Sequence, residues 1–434
     1  MLDLKRKEER RSRRIMGIEL VVFGFLMLAF LMDVPELVLG VFVVACLLVV
    51  FASPKSAIRY LAFFTSFAGV FVYDEKHMFF VMVAIFIIKF LLTTKVNKQT
   101  IVYYLSIALY CLVFCDYEAE FKFAKILGII LLFAIPVIGS YAHKIDCADV
   151  MKHYILGFIV TTIVGFFVMD IPAMLDLFEY DLFWTEENQE LTRFFGLAYD
   201  SNFYALSNYI IIAYLLFAVK DISKEKIIVI IFLIIAGLQT ISKSYLLVLG
   251  VLLVVYYVKS ITNVRQFIKS FLAIILAGAL FVYITDMLGY NVVDLIMGRF
   301  VDGSFAENTT GRAELWTETI GTIATSSADK ILFGFGFNTE IKDAAHNTYI
   351  EFVYKFGLVG TGIWVAYFVH CAKIFHKNTE NFSHKSPMVL LSLLVGIFFL
   401  SAFTYEAFWI GVMISLMTLT SFKKPDSEVE TCTA

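Results

Sequence analysis

Charge is what this chain has least of. Only 17% of its 434 residues are Asp, Glu, Lys or Arg, against about a quarter in a soluble globular protein. That deficit excludes an ordinary water-soluble domain. Proline is scarce as well, with six in all; Pro136 and Pro172, near span ends, are expected to bend or terminate helices. The six cysteines form no CxxC pair and no Cys/His spacing, so neither a disulfide framework nor a metal site is expected. The Gly334-Phe-Gly336 pair lacks the strand context and third glycine of a nucleotide fingerprint, and no cofactor is expected. The net charge of −3 is segregated by face rather than pooled, and no nucleic-acid partner is expected. Internal repeats and low-complexity segments are absent.

What is present is apolar and comes in blocks. Hydrophobic residues make up 60% of the chain and mean hydropathy is +0.81. The blocks run to roughly 15–22 residues, the length of helix that crosses about 30 Å of hydrocarbon. Strands would read as shorter alternating segments. The pattern predicts a single all-α polytopic membrane domain over 1–434 with about 12–14 transmembrane helices. Candidate spans are 15–32, 36–52, 58–73, 77–94, 100–115, 123–142, 153–170, 203–219, 227–241, 245–258, 267–285, 348–369, 387–403 and 405–421. Seven basic residues precede the first span, and most other Lys and Arg fall on the same side, which predicts cytoplasmic termini. No small-x-small cleavage site follows the first span, so it reads as an uncleaved anchor. Glu19 and Lys89, inside spans, read as snorkelling side chains.

Two outward loops are expected, over 171–202 and 286–345. The first is acidic and aromatic, carries the lone cation Arg193, and re-enters the membrane through the capping residues Asp200-Ser201-Asn202. The second contains a segment from Thr310 with Leu315, Ile320 and Ile323 at helical intervals, predicting a short amphipathic helix on the membrane surface. It then passes through a tight Gly334-x-Gly336 turn to His346-Asn347.

The run His346-Asn347-x9-Gly357-x-x-Gly360, with Gly311-Arg312 and Gly334-x-Gly336 upstream, resembles the O-antigen ligase and Wzy-type polymerase superfamily, integral membrane glycosyltransferases of the GT-C class. Arg193-Phe-Phe-Gly196 with Asp200-Ser-Asn202 is similar to the family's arginine-glycine-asparagine segment. Thr240-Ile-Ser242-Lys243-Ser244 is similar to its Ser-Arg segment, with Lys243 where the family has arginine, which keeps the charge but not the bidentate fork. The resemblance covers about 190–420. It implies a polysaccharide polymerase in a bacterial cytoplasmic membrane, making capsule, exopolysaccharide or O-antigen. Its partners would be an undecaprenyl-diphosphate-linked glycan donor and acceptor, membrane lipids, a flippase and a chain-length regulator. His346 would be the catalytic base, and Arg193, Arg312 and Lys243 would bind the diphosphate, whose charge grows as the glycosidic bond breaks. Asn347, Glu351, Asn202, Trp316 and Tyr349 are candidates for orienting substrate, and Tyr199 and Tyr204 for stacking on sugar rings. The chemistry is expected to be metal-independent and inverting.

Other readings stand beside these. His346 fits a helix cap, Arg312 a headgroup anchor, Lys243 a snorkelling lysine, and Glu351 an i,i+4 partner of Lys355. Gly357, Gly360 and Gly362 suit close helix packing. A ligase that moves glycan to another acceptor uses the same donor chemistry. A transporter or flippase is the alternative from a different class, and it should show ionisable groups deep within its spans.

Overall fold

A computed structural model describes residues 2–32, 34–73, 76–114, 123–141, 146–168, 182–184, 190–198, 200–219, 223–260, 312–337, 346–378 and 387–419, with positions 279, 282, 283 and 287. These residues are helical apart from two short antiparallel pairs, β1 (Val72–Tyr73) with β2 (Lys76–His77) and β3 (Leu182–Trp184) with β4 (Glu190–Thr192). The candidate span 267–285, Tyr199 and most of the two expected outward loops lie outside the described residues.

The helices, in chain order, are α1 (Leu2–Leu31), α2 (Pro35–Phe51), α3 (Pro54–Thr65), α4 (Phe79–Thr93), α5 (Lys98–Val113), α6 (Phe123–Leu132), α7 (Ile135–Tyr141) and α8 (Cys147–Val168). They continue as α9 (Ser201–Ala213), α10 (Lys224–Leu238), α11 (Lys243–Ser260), α12 (Arg312–Thr325), α13 (Ala328–Phe333), α14 (Thr348–Asn378), α15 (Pro387–Ile397) and α16 (Glu406–Leu419). Among the described residues, four segments are long and apolar enough to cross a membrane: Glu8–Leu31, Cys147–Phe167, Ser201–Ala218 and Thr348–His376. Shorter apolar helices include α2, α4, α5, α15 and α16.

Helices apolar on every side belong in the interior. In α16 the whole run Glu406–Thr418 is buried, in α3 so is Ser56–Thr65, and α9 is buried along nearly all its length. Around this centre, α1, α2, α4, α5, α10 and α11 each bury one face. Their other faces carry large exposed apolar residues such as Phe25, Val44, Phe51, Leu92, Leu109, Ile228 and Val254. Water would not tolerate so continuous an apolar exterior, whereas lipid covers it.

The expected spans and the observed helices differ where backbone geometry intervenes. The block 58–73 is helical only to Thr65, then turns through a 3-10 segment at Ala68–Val70 into the β1–β2 hairpin. The block 123–142 divides into α6 and α7, because Pro136 has no N–H to continue the ladder. The Phe133 carbonyl beside that break accepts the Tyr367 hydroxyl.

Glu19 does not snorkel. Glu19 is fully buried, with its carboxylate oxygens 2.9 and 2.8 Å from His153 Nδ1. His153 Nε2 lies 3.2 Å from Ser12 Oγ, which donates to Asp149, itself paired with Arg59. This network pins α1, α3 and α8 together. Lys89 donates to the carbonyls of Val49 (3.0 Å) and Val50, capping the C-terminal turn of α2.

Candidate functional site

The site is built at one end of the bundle from segments far apart in the chain. Arg193 follows β4 and is 8% exposed. Its Nε donates to the Thr240 carbonyl at 2.9 Å and a terminal nitrogen donates to Asn202 Oδ1 at 3.3 Å. Asn202 Oδ1 also accepts from Ser242 Oγ at 2.8 Å, and Ser242 Oγ lies 2.8 Å from Ser244 Oγ. The segments 193–202 and 240–244, each singled out in the sequence, therefore form one bonded unit. Phe194 N donating to Gln239 O at 3.0 Å closes it.

Local geometry explains why these residue types stand there. Gly196 adopts φ +62 against Gly165 and the Tyr204 ring, where a Cβ would lie 2.8 Å from Tyr204. Asp200 caps α9 by accepting from Asn202 N at 2.6 Å. Lys243 opens α11, next to Ser242 in the bonded unit. Tyr204 itself is 1% exposed, stacked on Phe158 at 4.8 Å and bonded to Thr162. It is part of the packed interior, and stacking on a sugar is closed to it.

A second group meets the first through Asp200. Arg312 opens α12 and donates to the Phe399 carbonyl at 3.0 Å. Burial pulls its guanidinium down from its ordinary value while the Asp200 carboxylate opposes the shift; an arginine starts high enough to remain a cation. The next carbonyl, Leu400, accepts the Thr348 hydroxyl, and Ala402 N returns a bond to Thr348 Oγ1 at 2.9 Å. Arg312 and the first turn of α14 thus grip successive residues of the α15–α16 turn. Phe203 stacked on Tyr405 at 4.4 Å joins that turn to α9. On α12 the face toward the protein carries Trp316, packed on Phe398 at 5.1 Å, and buried Thr319, whereas Ile320 is exposed.

Asn347, not His346, caps α14. Its Oδ1 accepts from Tyr349 N (3.0 Å) and Ile350 N (3.2 Å), and Asn347 is 1% exposed. His346 stands outside the helix, exposed, at φ +45. A non-glycine residue held in the left-handed region is strained, and such strain is concentrated at functional sites. Tyr349 donates to Leu394 O at 2.9 Å and keeps 40% exposure. Glu351 forms the i,i+4 pair with Lys355 at 2.9 Å, and that ammonium lies 4.4 Å from the Phe403 ring centre. The pair uses only Oε1. Buried Glu351 Oε2 and, in the α15–α16 turn, Ser401 Oγ have no hydrogen-bond partner among the described residues. Unsatisfied acceptors are costly in an interior, and two of them flank the Thr348 bridge. Ser401 carried no signal in the sequence, since its place depends on a turn folded against α14.

The glycine motif proves to be a break in α14. Gly357 adopts φ +60 and ψ −171, which frees the preceding carbonyls. Phe335 N donates to Tyr354 O (2.9 Å), Gly336 N to Lys355 O (3.3 Å), and the Tyr110 hydroxyl lies 2.6 Å from Phe356 O. A broken helix persists in an apolar setting only when its freed groups are met in this way. Gly334 and Gly357 touch backbone to backbone: a Cβ on Gly357 would lie 2.5 Å from Gly334 N and from the Leu332 carbonyl. Gly360 packs on the Tyr110 ring, whereas Gly362 has nothing within 4 Å and is no packing glycine.

Fold and site together define an all-helical protein with helices able to cross a membrane and a cation-bearing polar cluster at one end. Comparison of the chain with family models, curated proteins and solved structures finds no match.

Proposed function

We propose that this protein is a membrane glycosyltransferase that joins undecaprenyl-diphosphate-linked repeat units, a polysaccharide polymerase working at the outer face. The observation that carries the reading is the convergence of Arg193, Asn202 and Ser242 with Arg312 and the strained His346 turn, from segments spread over residues 193–346. The acceptor hydroxyl loses its proton to the His346 imidazole as its oxygen bonds to the anomeric carbon. The bond from that carbon to the diphosphate oxygen breaks, its electron pair leaves with the diphosphate, and inversion results. Arg312 and Lys243 supply charge to the leaving group, an interaction that strengthens as the bond breaks. Arg193 gives at least two of its donors to Thr240 and Asn202, so it also ties the 193–202 and 240–244 segments together.

The test is glycan extension by purified protein with a lipid-diphosphate-linked repeat unit in EDTA. Wild type lengthens the glycan and His346→Ala, at normal folded yield, does not. Undiminished extension by His346→Ala removes it as the base. A ligase reading predicts transfer only when a different acceptor is supplied. The transporter reading draws on one specific observation, the buried Glu19–His153 pair, and predicts movement of lipid-linked glycan across vesicles with no new glycosidic bond.

A further inference from the structure

Far from the polar cluster in sequence, α1 and α2 enclose an open groove of about 900 Å³. Arg14, Gly17, Ile18, Val21, Val22 and Phe25 line one side, and α2 the other, chiefly through Gly40, Val41 and Val44. The α1 positions recur at helical spacing, so they form a single stripe. Both walls carry a glycine that faces open space: a Cβ built at Gly17 or at Gly40 meets nothing within 4 Å.

We infer that this groove is a binding site for an anionic phospholipid of the leaflet on the N-terminal side. Length is the first argument. From Arg14 to Phe25 is about 16 Å along a helix axis, half of the roughly 30 Å of hydrocarbon in a bilayer. The groove accommodates the acyl chains of one leaflet and ends where the other begins. Charge is the second argument. Among the described residues its only ionisable lining residue is Arg14, at the end where the apolar run begins, and exposed Arg10 lies one turn earlier on the same face. Of the two acidic neighbours, Glu8 is taken up by Lys55 at 2.7 Å, and exposed Glu9 is outnumbered by exposed Arg10, Arg13 and Arg14. Two cations at headgroup depth above an apolar trough match a phosphate with two chains below it. The same charges argue against a second copy of this chain, whose own arginines would be carried into the same stripe.

Native mass spectrometry of the full-length protein in detergent, titrated with phosphatidylglycerol or phosphatidylcholine, tests the assignment. Wild type binds phosphatidylglycerol more tightly. Arg10→Gln/Arg14→Gln lowers that preference by roughly 30-fold, from two cations near an anionic headgroup. Gly17→Leu/Gly40→Leu fills the trough and removes the tight lipid. Equal affinity for the two lipids, or unchanged binding in the filled variant, overturns the proposal. Photoreactive phosphatidylglycerol on unmutated protein gives a second readout: label within 14–25 and 37–48 supports the site, and label only elsewhere overturns it. Efficient disulfide cross-linking between copies through Gly17→Cys overturns it in favour of a protein interface.

Discussion

Replacing His153 with leucine removes the hydrogen-bonding partner of both oxygens of a fully buried carboxylate. Glu19 is fully buried, and His153 Nδ1 supplies its contacts at 2.9 and 2.8 Å. Taking one member from a buried pair costs about 3–5 kcal/mol, because the charge that remains is uncompensated. Replacing both with apolar residues of similar size is often neutral or stabilising by about 1–4 kcal/mol. The neighbouring Arg59–Asp149 pair and the Ser12–Asp149 bond survive either change, since neither depends on His153. Thermal unfolding in detergent should therefore rank wild type and Glu19→Leu/His153→Leu close together, with His153→Leu several degrees lower. The reasoning fails if His153→Leu unfolds with wild type, or if the double variant is less stable than the single.

Gly357→Ala should destabilise by more than about 2 kcal/mol, from positive-φ strain plus a Cβ forced onto the Leu332 carbonyl; Gly362→Ala, with open space, should be neutral or gain up to about 1 kcal/mol; unfolding midpoints of the two variants check this. Asn347→Ala should cost about 1 kcal/mol through loss of the α14 cap and Asn347→Asp much less, read by the same measurement. His346→Gly should raise stability by about 1 kcal/mol, because glycine adopts φ +45 freely, yet abolish glycan extension; activity kept in this variant would contradict the proposed base. Lys243→Arg should retain extension, whereas Lys243→Gln should lose it, measured as product length over time.

The apolar blocks were legible because lipid-length runs leave little else to read: α2, α4, α5, α10, α11, α15 and α16 lie within a few residues of their expected spans. Glu351 with Lys355 was legible too, since i,i+4 geometry is local. What could not be read were groups whose partners are remote. Glu19 meets His153 at a separation of 134 residues, and Lys89 finds the end of α2 at 40. The Gly334 and Gly357 positions were visible as glycines, but a close-packing surface and a helix break leave the same trace in sequence. Only the Phe335 and Gly336 amides, pointing at Tyr354 and Lys355, distinguish the two. At the polar cluster, cation identities were apparent, while the division of Arg193 between its neighbours depends on where Thr240 and Asn202 fall.

The break at Gly357 gives α14 a mechanical joint. Residues Thr348 to Phe356 make a rigid arm of about 14 Å, latched at one end by the 332–337 turn and at the other, beside His346, by the bonds of Thr348 to Leu400 and Ala402. A tilt of about 10° around the 332–337 end would swing the tip by about 2.4 Å, close to the difference between a hydrogen bond and no contact. The turn that carries His346 is thus fixed from two sides, by the Phe335 and Gly336 amides behind the arm and by the α15–α16 turn beside its tip.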